Sequence, residues 1–73
     1  MEVLEIRTET IELCKALKLA GTLSSGGLAK SEVAAGRVLV NGEVETRKRK
    51  KISPGDVISY GAETFRVDFN KDS

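Results

Sequence analysis

"RVLVNGEVE", residues 37–45, sets two valine-containing runs on either side of an Asn-Gly pair, and that arrangement reads as a tight β-hairpin. Asn41 and Gly42 both tolerate positive φ, the backbone angle that a two-residue hairpin loop asks of its central positions. Two registers compete. A two-residue loop places Val40 opposite Glu43, whereas burying Val38, Val40 and Val44 on one face needs a loop with an odd number of residues and therefore a bulge. The bulged register is preferred because it hides all three valines.

Downstream, "SPGD" (53–56) fits a type II turn, with Pro54 fixing φ at the second position and Gly55 supplying positive φ at the third. "DVISY" (56–60) and "TFRVDF" (64–69) then read as strands joined around Gly61, with Phe65, Val67 and Phe69 alternating toward one face. Residues 70–73, "NKDS", read as a frayed tail. Upstream, "TIELCKALKLAG" (10–21) repeats Ile11, Cys14, Leu17 and Ala20 at helical spacing, with Leu13 widening the stripe, and predicts a helix from about Thr10 to Ala20 capped by Gly21. Glu9 and Glu12 precede Lys15 and Lys18, the order a helix dipole favours. A second, shorter helix follows "TLSSGG", capped by Ser24 or Ser25 and ending at Gly36. Before both helices, "EVLEIR" can form a short strand over 2–7 with Val3 and either Leu4 or Ile6 turned inward. The sum is an α+β domain: two N-terminal helices packed on a small antiparallel sheet.

The chain has 73 residues, 40% apolar and 32% charged, which suits one folded domain spanning 1–73 with a thin core. Its single cysteine, Cys14, cannot form an internal disulfide, and with no histidine a metal site or a Cys/His nucleophile pair is not expected. No run approaches the roughly 18 consecutive apolar residues of a membrane span, and the acidic, alternating N-terminus is unlike a signal peptide, so a cytoplasmic address is expected. Catalysis finds little support. The eleven carboxylates look solvated, and the Gly21/Gly26 spacing of a phosphate-binding loop is followed by Gly27 and Leu28 where Lys and Ser or Thr are required. No enzyme activity, cofactor or small-molecule substrate is therefore expected.

Charge is the informative feature. Net charge is only +1, yet residues 28–51 carry seven basic and three acidic side chains, and Arg47, Lys48, Arg49, Lys50 and Lys51 are consecutive. A partner within a Debye length of about 8 Å responds to such a patch rather than to the total. Lysines can simply guard a sheet edge against aggregation. Against that, five adjacent like charges repel one another unless a polyanion compensates, and arginine is the side chain suited to bidentate phosphate contacts. If the run is extended, Arg47, Arg49 and Lys51 project to one side and Lys48 and Lys50 to the other. Lys30 and Arg37 can extend the patch, and the backbone N–H groups of Ser25, Gly26 and Gly27 at a helix start can meet an isolated phosphate. Tyr60, Phe65 and Phe69 read as core or strand-face residues rather than stacking platforms, which favours structured RNA held by its backbone over single strands.

Several of these motifs together resemble the S-four RNA-binding domain, named after protein four of the small ribosomal subunit. The likeness runs from about Glu12 to Ile58 and rests on "LKLAG" closing the first helix, a Ser before the second, Lys30, "GRVLVNGEV" at 36–44 and "PGDVI" at 54–58. The chain further resembles the short stand-alone bacterial members. The resemblance implies the αL motif, an RNA-binding surface made by the two helices and the adjoining hairpin, and ribosomal or transfer RNA as partner, with any activity coming through a protein partner. The family usually places an Arg near the start of the first helix and Arg-Ser at the start of the second. Glu12 and the Gly26–Gly27 pair occupy those places here, so residue by residue only Lys30 carries over. The alternatives are a β-grasp-like domain, which "VNGEV" and a later "GDVI" would also suit, or a protein-binding adaptor on the same fold without nucleic-acid binding.

Overall fold

The computed structural model describes residues 2–70. Its elements are β1 (Glu2–Ile6), β2 (Ile11–Glu12), α1 (Leu13–Leu19), α2 (Gly26–Ala34), β3 (Val38–Val40), β4 (Glu43–Val44), β5 (Lys51–Ile52), β6 (Val57–Tyr60) and β7 (Glu63–Phe69). Five strands form one sheet in the order β1-β7-β6-β3-β4, and β2 and β5 pair separately. This is the expected α+β class. The sheet is mixed rather than wholly antiparallel, because β1 lies parallel to β7.

The hairpin takes the register that the sequence reading set aside. Val40 pairs with Glu43 and Leu39 with Val44, so the loop has two residues and no bulge. Asn41 and Gly42 sit at φ 53° and 85°, as such a loop demands. Val38 and Val40 are buried, but Val44 falls on the opposite face and is 59% exposed. Turn chemistry outweighed one valine. Val44 instead lies over Gly36, its Cγ1 3.6 Å from where a side chain on that glycine would begin.

Asn41 also explains why the two turn motifs occur together. Its N–H donates to the Val57 carbonyl at 2.7 Å, its side-chain oxygen accepts from the Val57 N–H at 2.9 Å, and its amide donates to Asp56 at 3.1 Å. The other oxygen of Asp56 accepts from the Ser53 N–H at 2.8 Å, and the Asp56 N–H closes the turn on the Ser53 carbonyl at 3.0 Å. The Asn-Gly and Pro-Gly-Asp segments are thus one hydrogen-bonded unit that fixes β3 against β6.

The helix expected from Thr10 begins at Leu13. Ile11 and Glu12 pair instead with Ile52 and Lys51 as β2, and the first α1 N–H groups find tertiary acceptors, Leu13 on the Lys50 carbonyl at 2.9 Å and Cys14 on that of Lys48 at 3.2 Å. A helix start needs partners for its orphan N–H groups, and here a distant loop provides them. Both helices end alike: Gly21 and Gly36 donate to the carbonyls of Lys18 and Val33, and Thr22 and Arg37 to those of Leu17 and Glu32, two Schellman motifs.

The core lies between the helices and one face of the sheet, formed by Leu13, Ala16 and Leu17 of α1, Ala29 and Val33 of α2, and Val38, Ile52, Ile58, Phe65 and Val67 of the strands. Two further inward assignments differ from expectation, since Val3 is 47% and Phe69 44% exposed, while Ile6, one of the two alternatives for the second inward residue of β1, is buried. Asn70 is tethered rather than frayed, since its N–H donates to the Ile6 carbonyl at 2.8 Å and its side chain to Glu5. Residues 71–73, the rest of the expected frayed tail, lie outside the described residues.

Candidate nucleic-acid interface

The basic run is a loop, not a strand. Only Lys51 belongs to a β-element, and Arg47 to Lys50 close a tight turn through the Lys50 N–H on the Arg47 carbonyl at 3.1 Å. The alternation expected of an extended segment is therefore absent. The Lys48 and Lys50 carbonyls face the start of α1, as the bonds to Leu13 and Cys14 require, and this anchors the loop by its backbone while Arg47, Lys48, Arg49 and Lys51 remain exposed and Lys50 is half-buried.

Arg47 is held within the loop. Its guanidinium grips Glu45 at 2.9 and 3.1 Å, and its backbone N–H donates to the same carboxylate at 3.0 Å. These bonds, the side-chain one foremost, hold the Glu45 carboxyl down at about 2. Lys48, Arg49, Lys50 and Lys51 have no ion pair among the described residues.

Arg49 faces a groove of about 410 Å³ along α1 and the first half of α2, where it meets Lys15 and Lys18 of α1 and Gly26 and Lys30 of α2, with Glu12 and Cys14 in the wall. Lys30 and Arg49 are nineteen positions apart in sequence, and the groove brings them together. A second, open cleft of about 640 Å³ runs along 46–51 beside Ala34, and Arg49 lines it as well. The cations consequently form a connected field from Lys18 across the groove to Lys51. Four cations round one small groove, against the single carboxylate of Glu12 that sits 3.8 Å from Lys15, make a strong local positive potential.

Ser25 caps α2 by accepting from the Leu28 N–H at 3.1 Å. The N–H groups of Gly26 and Gly27 have no partner among the described residues and open toward the same end of the helix. Lys15 and Lys18 were not among the sequence candidates. Their spacing of three along α1 was a signal, but it read as helix-dipole chemistry until the loop was seen to close over the same end.

Arg37 stands apart from the groove. Both oxygens of Glu32 accept from it at 3.3 Å, and Glu32 also accepts from the Tyr60 hydroxyl at 2.5 Å. The Tyr60 bond lowers the Glu32 carboxyl below its ordinary value and raises the phenol, with Arg37 a smaller influence on Glu32. Arg37 thus belongs to a latch between the end of α2 and β6.

The S4 domain model matches residues 4–68. This chain belongs to the S4 domain family. The S4 match takes in the last three residues of β1 and most of β7, beyond the Glu12–Ile58 stretch that carried the resemblance in sequence. The chain is 47% identical over 57 residues to the "Putative RNA-binding protein YbcJ" of Escherichia coli, covering 78% of this chain and 81% of that one. It is 42% identical over 65 residues to the "Probable ribosome maturation protein RlbA" of Bacillus subtilis, covering 88% and 92%. The solution structure of E. coli YbcJ, described as revealing an αL motif involved in RNA-binding, superposes with a TM-score of 0.73 at 40% identity over 93% of this chain and 87% of that one. Membership in the S4 family, with two consecutive helices before the hairpin, removes the β-grasp alternative.

Proposed function

We propose that this S4 domain is a non-catalytic cytoplasmic module, one domain over 1–73, that binds structured RNA, ribosomal RNA in particular, through phosphate contacts. The observation that carries the reading is the convergence of Lys15, Lys18, Lys30 and Arg49 on one groove, with Gly26, whose N–H has no partner among the described residues, in its lining. Lys18, Lys30 and Arg49 have no acid partner among the described residues and are available to neutralise phosphates, Lys15 has only the 3.8 Å pair with Glu12, and a helix start adds N–H donors of the right sign. Lys48, Lys50 and Lys51 flank the groove and extend the footprint. The names of the YbcJ and RlbA relatives favour RNA, and ribosome maturation favours ribosomal RNA within that class.

Each neutralised phosphate contributes a log–log salt slope of roughly −0.7 to −0.9. Hairpin RNA affinity measured across a salt series should therefore fall with a slope of roughly −2 to −4.5 for three to five such contacts. Replacing Lys30→Glu together with Arg49→Glu should reduce affinity on the order of a hundredfold while the thermal unfolding midpoint stays put. An unchanged affinity in that double variant would rule the groove out as the binding surface.

A further inference from the structure

A cleft of about 510 Å³ lies beside the groove, between the β1–β2 connection and α1, and its walls include Glu5, Ile11, Glu12, Lys15, Leu19 and Lys51. Its volume is in the roughly 300–1,000 Å³ range of small-ligand clefts. We propose that this cleft takes the base of one unpaired guanine of the bound RNA, an inference that rests on the RNA-binding reading above.

Four observations point there. Leu19 is 65% exposed and Ile11 half-buried, so the cleft offers an apolar wall to the face of a base. Glu12 occupies the N-cap of α1, yet its side chain makes no capping bond, because the carbonyls of Lys50 and Lys48 accept the N–H groups of Leu13 and Cys14. Its carboxylate has Lys15 at 3.8 Å as its only ion pair among the described residues, beyond hydrogen-bond length, whereas Glu5 already accepts from Asn70. Lys15 and Glu12 line both the cleft and the cationic groove, and Lys51 lines the cleft and the open cleft along the basic loop, so a strand whose phosphates lie on the cations would pass the mouth.

A carboxylate repels phosphate and accepts hydrogen bonds without donating any. Of the four RNA bases, guanine alone offers two adjacent donors, N1–H and the 2-amino group, on its Watson–Crick edge, matching the two oxygens of Glu12. Splayed bases read on that edge are the usual route to sequence preference in structured RNA.

The test is selection from a pool of stem-loop RNAs with randomised loop nucleotides, run with the native chain and with Glu12→Gln. The native chain should enrich guanine at one loop position, and inosine there, lacking the 2-amino group, should bind about tenfold more weakly. Glu12→Gln should erase the preference while raising overall RNA affinity, since it removes a negative charge shared with the groove. A role in folding alone would not move those two readouts in opposite directions. Leu19→Ser, at an exposed position, should weaken the guanine preference with the fold retained. Recovered loops without a guanine preference, or a preference that survives Glu12→Gln, would overturn the cleft assignment and leave the RNA-binding reading standing; such a result would fit a protein side chain in the cleft. A pool that does not bind at all would remove both.

Discussion

The two ends of α2 treat basic residues in opposite ways. Along its first half, from Gly26 to Lys30, the helix borders a groove with Lys15, Lys18 and Arg49, where positive charges outnumber the one nearby carboxylate. Just past its end Arg37 is gripped by Glu32, which Tyr60 holds in turn. Like charges held close together with no internal partner raise the free energy of the isolated protein, and that cost is recovered when an anion arrives. A cation already paired to a hydrogen-bonded carboxylate gives up as much as it gains on meeting one. Sign and exposure do not separate the two ends; a carboxylate within hydrogen-bond distance of the cation does, since Arg37 has Glu32 at 3.3 Å whereas the groove's one ion pair, Lys15 with Glu12, is 3.8 Å long.

The same contrast recurs within two residues of the basic loop, and that supplies the largest expected effect. Arg47 is bound to Glu45, whereas Arg49 lines the groove. Arg49→Ala should lower RNA affinity about tenfold and flatten the salt slope by roughly one phosphate contact. Arg47→Ala changes the net charge by the same amount but should leave the slope in place. Fluorescence anisotropy over a salt series measures both, and equal slopes lost in the two variants would break the distinction.

Legibility in the sequence followed the range of the interactions. The Asn41–Gly42 hairpin and the Ser53–Asp56 turn could be located because turn geometry is dictated by a few adjacent residues, but the hairpin's register was missed, because burying Val44 was weighed above the two-residue loop, and the bonds that join the two turns are tertiary. The start of α1 was misread because apolar spacing continues smoothly through Ile11 and Glu12, and only the distant Lys51–Ile52 segment draws those residues into a strand. The parallel pairing of β1 with β7, more than sixty positions away, leaves no local trace. For the site, the count of cations in 47–51 was plain, but their backbone was not, because lysine and arginine favour neither strand nor turn strongly enough to reveal one. The partition of Arg37 and Arg47 away from Lys30 and Arg49 depended on which glutamates fold back, Glu32 and Glu45, and that is a tertiary fact.

The latch offers a smaller, inverse effect. Tyr60→Phe keeps the ring but removes the hydroxyl that donates to Glu32, so the end of α2 loses its tie to β6. The variant should unfold at a lower temperature by differential scanning calorimetry and bind hairpin RNA as the native chain does. Reduced RNA affinity with an unchanged melting temperature would place this end of α2 in the interface and erase the difference between the two ends.

The smallest expected effect is electrostatic and confined to the loop. Arg47 depresses the Glu45 carboxyl from its ordinary 4.5 to about 2, so the folded loop favours the charged form. A depressed carboxyl contributes its stabilisation in full above the ordinary value and loses it as the pH falls through the folded one. The Glu45–Arg47 contribution should therefore be complete at neutral pH and decline between about 4.5 and about 2. Carboxyl-carbon NMR shifts followed through acid titration should give Glu45 a midpoint near 2, moving back toward 4.5 in Arg47→Gln and staying low in Arg49→Gln. A Glu45 midpoint at the ordinary value in the native chain would mean that Arg47 is free of its neighbour, and the two arginines would then be equivalent donors to a phosphate.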